Sequence, residues 1–141
     1  MPTDGRAKGP GHQWPRIVGR CALGGFLIFA GISHLAAREQ FLAQVPPFFP
    51  VRDAIVVVSG FVEMAMGAWL VSGWRRHLAG WVAAAFFIAV FPGNISQFIT
   101  GASAFGLDTD LKRAIRLLFQ PVLVLWALWA TGAWAAWRWT R

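Results

Sequence analysis

Four apolar runs, each close to the length of a membrane span, constrain this chain more than any other feature. They cover residues 17–36, 54–73, 78–99 and 117–137. A helix needs about 20 mainly apolar residues to cross the hydrocarbon core of a bilayer. The chain has only 141 residues, of which 57% are hydrophobic and 13% are charged, which is too apolar for an ordinary soluble domain. We therefore expect an all-α membrane protein, a four-transmembrane-helix antiparallel bundle.

The basic residues predict how this bundle is oriented in the membrane. Four spans place both termini on one side, and that side carries most of the 13 Lys and Arg residues. On the other side the basic residues are diluted by Glu39, Asp53, Asp108 and Asp110. Lys and Arg are enriched in cytoplasmic segments. We therefore expect cytoplasmic N and C termini, in a bacterial inner membrane.

The segments outside the spans differ in character. Residues 1–15 are rich in Gly, Pro and charge, and we expect a mobile basic tail, followed by a membrane domain over 16–141. Within the interfacial segment 38–52, the apolar residues Phe41, Leu42 and Val45 predict a short helix lying at the outer membrane surface. The prolines and phenylalanines of 46–50 predict a rigid, extended lid after it.

Most of the nine tryptophans map near the side of the termini, where an amphipathic indole suits a membrane interface. Trp126 and Trp129 lie deeper in the fourth run. Their spacing of three residues puts them on one helix face, and we expect that face to meet lipid or a partner subunit.

Glu63 is an acid near the centre of the second apolar run. A charge at such a depth costs about 2.5–3.5 kcal/mol on insertion scales, so the residue should face the protein interior and have a polar partner. A helical rise of about 1.5 Å per residue puts several other polar residues in the same outer half of the bundle. The candidate ligand-binding residues are Glu63, His34, Asn94, Gln97, Arg116 and Gln120.

Small residues indicate which helix faces pack together. Gly60 and Gly67 share a helix face with Glu63. Gly24 and Gly31 repeat the same spacing in the first run. Because small residues let membrane helices approach closely, we expect these faces to point inward. Prolines beside the polar residues of the third and fourth runs remove helix hydrogen bonds, and kinks there would widen the outer half into a cavity.

Several chemistries are excluded by residue counts. Cys21 is the only cysteine, so a dithiol relay within the chain is impossible. Three dispersed histidines do not make a zinc or haem site in one chain, and we expect no metal. The net charge of +7 follows the predicted topology and suits anionic lipid headgroups. Nothing in the pattern of basic residues indicates a nucleic-acid partner.

Two interpretations of the polar set remain open at this level. In the first, Glu63 is protonated or paired, and the network only fixes helix packing. In the second, an outer cavity holds a small amphipathic ligand such as a quinone headgroup. His34 and Glu63 would then handle protons, while Arg116 or Gln120 would bind ligand oxygens.

The order of several short motifs resembles the DoxX-like family of small four-helix membrane proteins. The motifs are AGISH at 30–34, VPP at 45–47, GFVEMAMG at 60–67, FPGNI at 91–95 and RLLFQP at 116–121. The resemblance covers about residues 16–137. Glu63 matches the glutamate of the family's second span, and Pro92 and Asn94 match the proline and asparagine of its third.

The resemblance implies an accessory role and no stand-alone enzyme. Some DoxX-like proteins are associated with quinone-linked redox systems, and related MauE-type proteins assist the maturation of other proteins. We therefore expect an accessory subunit of a membrane redox system, with quinone as the one cofactor suggested. The alternative is an assembly chaperone or structural subunit. In both cases the expected partners are the lipid bilayer and either another membrane protein or a second copy of the chain.

Overall fold

A computed structural model describes residues 13–141, and this part of the chain is helical with no strand. Most of the predicted mobile tail, residues 1–12, lies outside the described residues. Four helices are long and apolar enough to cross a membrane. The predicted all-α class with four membrane-length helices is confirmed. The helices are α1 (Trp14–Ala36), α2 (Arg38–Leu42), α3 (Arg52–Ser72), α4 (Arg76–Thr100), α5 (Asp110–Thr131) and α6 (Ala133–Trp139).

The last long helix differs from the predicted run over 117–137. It begins earlier because Thr109 caps it, its side chain accepting a hydrogen bond from the Lys112 backbone N–H at 3.3 Å. It ends at Thr131 because Gly132 has a φ of 72°, a left-handed conformation that stops a helix and favours glycine. The remaining residues form α6, which packs against α4 and α5.

The bundle consists of two close helix pairs. α1 packs mainly on α3, and α4 packs mainly on α5; α1 also contacts α5, whereas α3 and α4 touch only slightly. The glycines of the first pair explain its closeness. A Cβ atom on Gly67 would lie 2.5 Å from the Gly24 carbonyl oxygen, and one on Gly31 would overlap the Gly60 carbonyl oxygen. These contacts pair the two helices in antiparallel order, as expected.

The main core lies where the four long helices meet. Its buried residues include Leu23, Met66, Phe87 and Leu123, one from each helix. Trp126 packs against this core, and its indole N–H donates to the Gly19 carbonyl at 3.0 Å. The expectation that the face with Trp126 and Trp129 points away from the bundle therefore fails for Trp126, which is partly buried against the core, whereas Trp129 is 48% exposed.

The two ends of the bundle have different compositions. At the terminus end, Gln13 and Trp139 line one cavity, so the described ends of the chain lie together. The opposite end carries α2, and we call it the α2 end. There, Arg52 donates to the Leu42 carbonyl at 2.5 Å and Arg38 pairs with Asp53 at 2.7 Å, which fixes α2 to the start of α3.

The segment after α2 is not extended as predicted. The Phe49 backbone N–H donates to the Pro46 carbonyl at 3.2 Å, which makes a turn. The segment therefore folds back beside α3 and α4, where Val45, Pro46 and Phe49 line a cavity.

Candidate functional site

All but one of the predicted site residues line a single cavity near the α2 end of the bundle. The cavity has a volume of about 160 Å³ and lies between α1, α3, α4 and α5. Its polar lining consists of His34, Gln44, Ser59, Glu63, Asn94, Arg116 and Gln120. Apolar side chains such as Phe26 and Leu27 complete the wall.

Glu63 and His34 face each other across the α1–α3 contact. The distance between His34 Nδ1 and Glu63 Oε2 is 3.3 Å, and both side chains are almost fully buried. Gly60 permits this approach, because a Cβ atom there would lie 2.8 Å from the His34 Cβ atom. The buried acid therefore lies beside a histidine of the neighbouring helix.

The surroundings of His34 define where its ring carries a proton. His34 Nδ1 also lies 2.9 Å from the Ala30 carbonyl oxygen, which can only accept a hydrogen bond. Nδ1 is therefore the protonated nitrogen, and in the neutral ring Nε2 is left as an acceptor. Because Nδ1 donates to Ala30, Glu63 Oε2 is left as a buried oxygen without a hydrogen-bond partner among residues 13–141.

The other side of the cavity holds a chain of three polar side chains. The Asn94 amide donates to Gln120 Oε1 at 2.9 Å, and Arg116 Nε donates to Asn94 Oδ1 at 3.2 Å. Gln120 Nε2 donates in turn to the Phe87 carbonyl at 2.7 Å. Pro92 has no backbone N–H, so the carbonyl of Ile88, the residue after Phe87, lacks its usual helix hydrogen bond. The three linked side chains thus join α4 to α5 beside the point where the proline weakens α4.

Gln97 is the predicted site residue that the structure keeps away from the cavity. Its side chain is buried, and its amide donates to the Ala102 carbonyl at 3.2 Å, in the loop after α4. The spacing of three from Asn94 placed both residues on one helix face. Gln97 lies a turn closer to the end of the helix, beyond the reach of the cavity.

A cover of aromatic and amide side chains was missed by reasoning from the sequence. Phe41 of α2 stacks on the His34 ring with the centroids 3.7 Å apart. Phe105 meets Phe41 edge-on at 4.7 Å, and Arg116 lies over the Phe105 ring at 5.5 Å. Arg116 also donates to Gln44 Oε1 at 3.2 Å. The cover therefore combines α2 with the loop between α4 and α5.

The signals for this cover were weak. Phe41 was recognised only as part of an apolar interfacial face. Gln44 and Phe105 lie in segments without periodicity, and their approach depends on how the connections fold. The Phe105 backbone N–H donates to Gln40 Oε1 at 2.6 Å, which joins two segments that are 65 residues apart in the chain.

A second, more apolar cavity adjoins the first. It has a volume of about 270 Å³ and extends from His34, Phe41 and Gln44 towards the turn at Pro46 and the start of α3. The shared lining residues place a polar chamber and an apolar chamber side by side. This arrangement suits a ligand with one polar and one apolar part.

The residues of the polar chamber can bind oxygen atoms and protons. Arg116 supplies a permanent positive charge with several N–H donors, and Glu63 and His34 can each hold a proton. Within residues 13–141, no group of three His, Cys, Asp or Glu side chains comes close enough to hold a metal ion.

Comparison with known protein families gives one finding. A family model described as "Domain of unknown function (DUF8561)" matches residues 23–131. Neither the curated proteins nor the solved structures include a match to the chain. The matched range contains the whole polar chamber, since its lining residues run from Phe26 to Leu123.

Proposed function

Because the chain belongs to the DUF8561 family, whose description names no activity, we propose a function from the chemistry of the polar chamber. The protein is a DoxX-like integral membrane accessory subunit of a redox system, and the chamber around Glu63 holds the headgroup of a quinone. The observation that carries this proposal is a polar chamber, lined by a carboxylate oxygen without a hydrogen-bond partner among residues 13–141, beside an apolar chamber.

The size of the polar chamber supports a ligand with one ring. An engineered apolar cavity of about 150 Å³ takes up benzene. The chamber here has about 160 Å³, so a single six-membered ring fits. The adjoining apolar chamber of about 270 Å³ offers space for the start of a hydrocarbon tail.

The donors in the chamber suit the two oxygen atoms of a quinone ring. Arg116 uses two of its N–H groups on Asn94 and Gln44, which leaves further N–H groups for a ligand oxygen. On the opposite wall, a protonated Glu63 can donate from its carboxyl group. The ring would therefore lie between an arginine and an acid, with one oxygen facing each.

A bound quinone would supply two-electron chemistry that is coupled to two protons. The chain's own contribution is to hold those protons. Glu63 can carry one proton on its carboxyl group, and His34 can take a second at Nε2 while Nδ1 stays bonded to Ala30. The distance of 3.3 Å between Nδ1 and Glu63 Oε2 keeps the two proton-holding side chains next to each other.

In this proposal a partner protein delivers electrons to the bound quinone or removes them from it. This requirement favours an accessory subunit over a stand-alone enzyme. The motif order that resembles DoxX-like proteins supports the same proposal. The partner would be another membrane protein of the redox system or a second copy of the chain. The proposed setting is a bacterial inner membrane.

An alternative function is that of an assembly chaperone or structural subunit of a membrane complex. One observation favours it: Asn94, Arg116 and Gln120 already satisfy one another and the Phe87 carbonyl. In that case the polar set only specifies how the four helices pack.

The two functions are separated by quinone binding in a Glu63→Gln variant. The full chain is purified in mild detergent, its lipids are extracted, and quinone is quantified by mass spectrometry. We expect the wild type to retain about one quinone per chain. The variant should retain at least about tenfold less quinone, since a charge-assisted or proton-donating contact to the ligand is removed.

Gln97→Met is the matched control. It removes another buried amide of the same bundle, outside the chamber, and should leave quinone retention unchanged. The proposal fails if the wild type retains no quinone and Glu63→Gln or Glu63→Leu unfolds at the same or a higher temperature. That result would support the structural alternative.

A further inference from the structure

A separate cavity, at the terminus end of the bundle, is lined by three arginines. It has a volume of about 280 Å³ and is remote from the polar chamber. Arg16 and Arg20 enter it from α1, and Arg76 enters it from the start of α4. Three positive side chains around one small space repel one another unless an anion neutralises them.

No Asp or Glu side chain of residues 13–141 supplies that anion. Asp53, Asp108 and Asp110 form ion pairs at the α2 end, and Glu39 belongs to α2 itself. Glu63, the remaining acid in residues 13–141, lies in the polar chamber. The arginine cavity therefore lacks a counter-charge within the part of the chain that the structure describes.

Two helix N-termini beside the cavity add to the positive potential, although the C-terminus of α5, at Thr131, also borders it. The N-termini of α1 and α4 both border it, and neither has an acidic residue in its first turn or a side-chain cap. At the α2 end, by contrast, Asp53 and Asp110 lie in the first turns of α3 and α5. A helix N-terminus carries about half a positive charge and favours a bound anion.

Arg20 also has unused hydrogen-bonding capacity. Its Nε atom is buried and has no hydrogen-bond partner among residues 13–141. Its guanidinium packs on Gly73, where an added Cβ atom would lie 2.8 Å from Nη2. The guanidinium of Arg20 is thus packed beside the cavity with one buried donor unused.

We infer that this cavity binds the phosphate group of an anionic membrane phospholipid. Arginine is the side chain best suited to bidentate binding of phosphate. The rest of the wall includes Ile17, Ala130, Ala135 and Trp139, which are suited to the glycerol and upper acyl part of a lipid. This mixed lining favours a lipid over a free phosphate ion, and basic pockets between spanning helices are known to bind such headgroups.

The test measures lipid binding to the full chain by native mass spectrometry. The chain in detergent is titrated with phosphatidylglycerol and, separately, with phosphatidylcholine of the same acyl chains. We expect one phosphatidylglycerol to bind at least about tenfold more tightly than phosphatidylcholine. Arg76→Gln and Arg20→Gln should each weaken that binding roughly tenfold, the loss expected for one charge-assisted hydrogen bond.

Arg75→Gln is the matched control, because Arg75 is the preceding residue and stacks over Trp74 outside the cavity. It removes the same charge and should leave phosphatidylglycerol binding unchanged. Arg76 is exposed, so its substitution provides a test even if Arg20→Gln fails to fold. Equal binding of both lipids, or an equal loss in the Arg75 and Arg76 variants, would overturn the inference. Competition by millimolar inorganic phosphate without any lipid preference would also overturn it, in favour of a soluble anion.

Discussion

Asn94 is the residue that links the polar side chains of α5 in the chamber to α4. Its amide N–H donates to Gln120 and its amide oxygen accepts from Arg116, so one side chain connects two positions of α5. An asparagine can do this because it has a donor and an acceptor on the same planar group. A side chain of similar size without polar atoms would remove one hydrogen bond from each of these two α5 residues.

We predict that Asn94→Leu lowers the free energy of unfolding by about 1–3 kcal/mol, because two buried polar groups lose their partner. Thermal unfolding in detergent would measure the change. Gln97→Met, which removes one bond to a loop, should cost less. Equal losses in the two variants would mean that the Asn94 contacts contribute nothing special to stability.

The loop before α5 contains an ion pair that depends on pH. The hydrogen bond from Lys112 Nζ to Asp108 Oδ1, at 2.7 Å, lowers the pKa of Asp108. A carboxyl group with a lowered pKa in the folded state stabilises the fold above its ordinary pKa. That contribution disappears as the pH falls through the lowered pKa. The carboxyl group is exposed, so the effect on stability is small.

We predict that Lys112→Met raises the pKa of Asp108 towards its ordinary value. Carboxyl carbon shifts of Asp108, followed by NMR through an acid titration, would show the change. Lys112→Arg keeps the charge and should keep the pKa low. An unchanged titration in Lys112→Met would show that the ion pair does not form in solution.

At the scale of helices, the α1–α3 pair depends on two glycines of each helix. Gly24 contacts Gly67 and Gly31 contacts Gly60, so the two helix backbones are in direct contact at two levels along the pair. Such contacts provide close packing that larger side chains would prevent. The same approach brings His34 to Glu63, and the packing of this pair therefore also sets the geometry of the chamber.

We predict that Gly24→Ala destabilises the protein by about 1–3 kcal/mol. A Cβ atom there would lie 2.7 Å from both the Gly67 carbonyl oxygen and Val71 Cγ2, so the helices must separate. Gly25→Ala is the control, because a Cβ atom at that position meets nothing within 4 Å. It should leave stability unchanged or raise it by up to about 1 kcal/mol. Unfolding temperatures of both variants decide the matter, and a loss at Gly25 equal to that at Gly24 would refute the packing argument.

The helices themselves were largely predictable from the sequence, because long apolar runs specify membrane spans and glycine spacing marks packed faces. The ends of the last helix were not. The apolar run continues through Gly132 to Trp137, so hydropathy alone carried the span past the residue where the backbone turns. At the other end, residues 108–110 are typical of a helix cap, but hydropathy alone placed the start of the span at residue 117.

The sequence predicted which residues belong to the candidate site, but it did not predict how they contact one another. Depth along each helix identified Glu63, His34 and Asn94 as residues of the same half of the bundle. The approach of Glu63 to His34 also depends on how each helix is rotated about its own axis, and depth in the membrane does not determine that rotation. Gln97 shared a face with Asn94, yet it reached a loop, whereas Gln44 entered the site from an irregular turn.

At the scale of the whole molecule, we predict that the terminus end, which has six arginines within residues 13–141, faces the cytoplasm. In a Cys21→Ser background, single cysteines are introduced as Thr140→Cys at the terminus end and Ser103→Cys at the α2 end, both at exposed positions. In intact cells a membrane-impermeant maleimide should label only Ser103→Cys. The opposite labelling pattern would reverse the proposed orientation.

The slight contact between α3 and α4 has a consequence for biogenesis. α1 and α3 can form their close pair as soon as both have left the ribosome, before α4 and α5 are synthesised. The chamber takes His34 and Glu63 from the first hairpin, and Asn94, Arg116 and Gln120 from the second. It comes into existence only when two preformed hairpins dock. We therefore expect the candidate site to be the last part of the molecule to form, and two separately expressed halves divided at Trp74 should recreate it on meeting in one membrane.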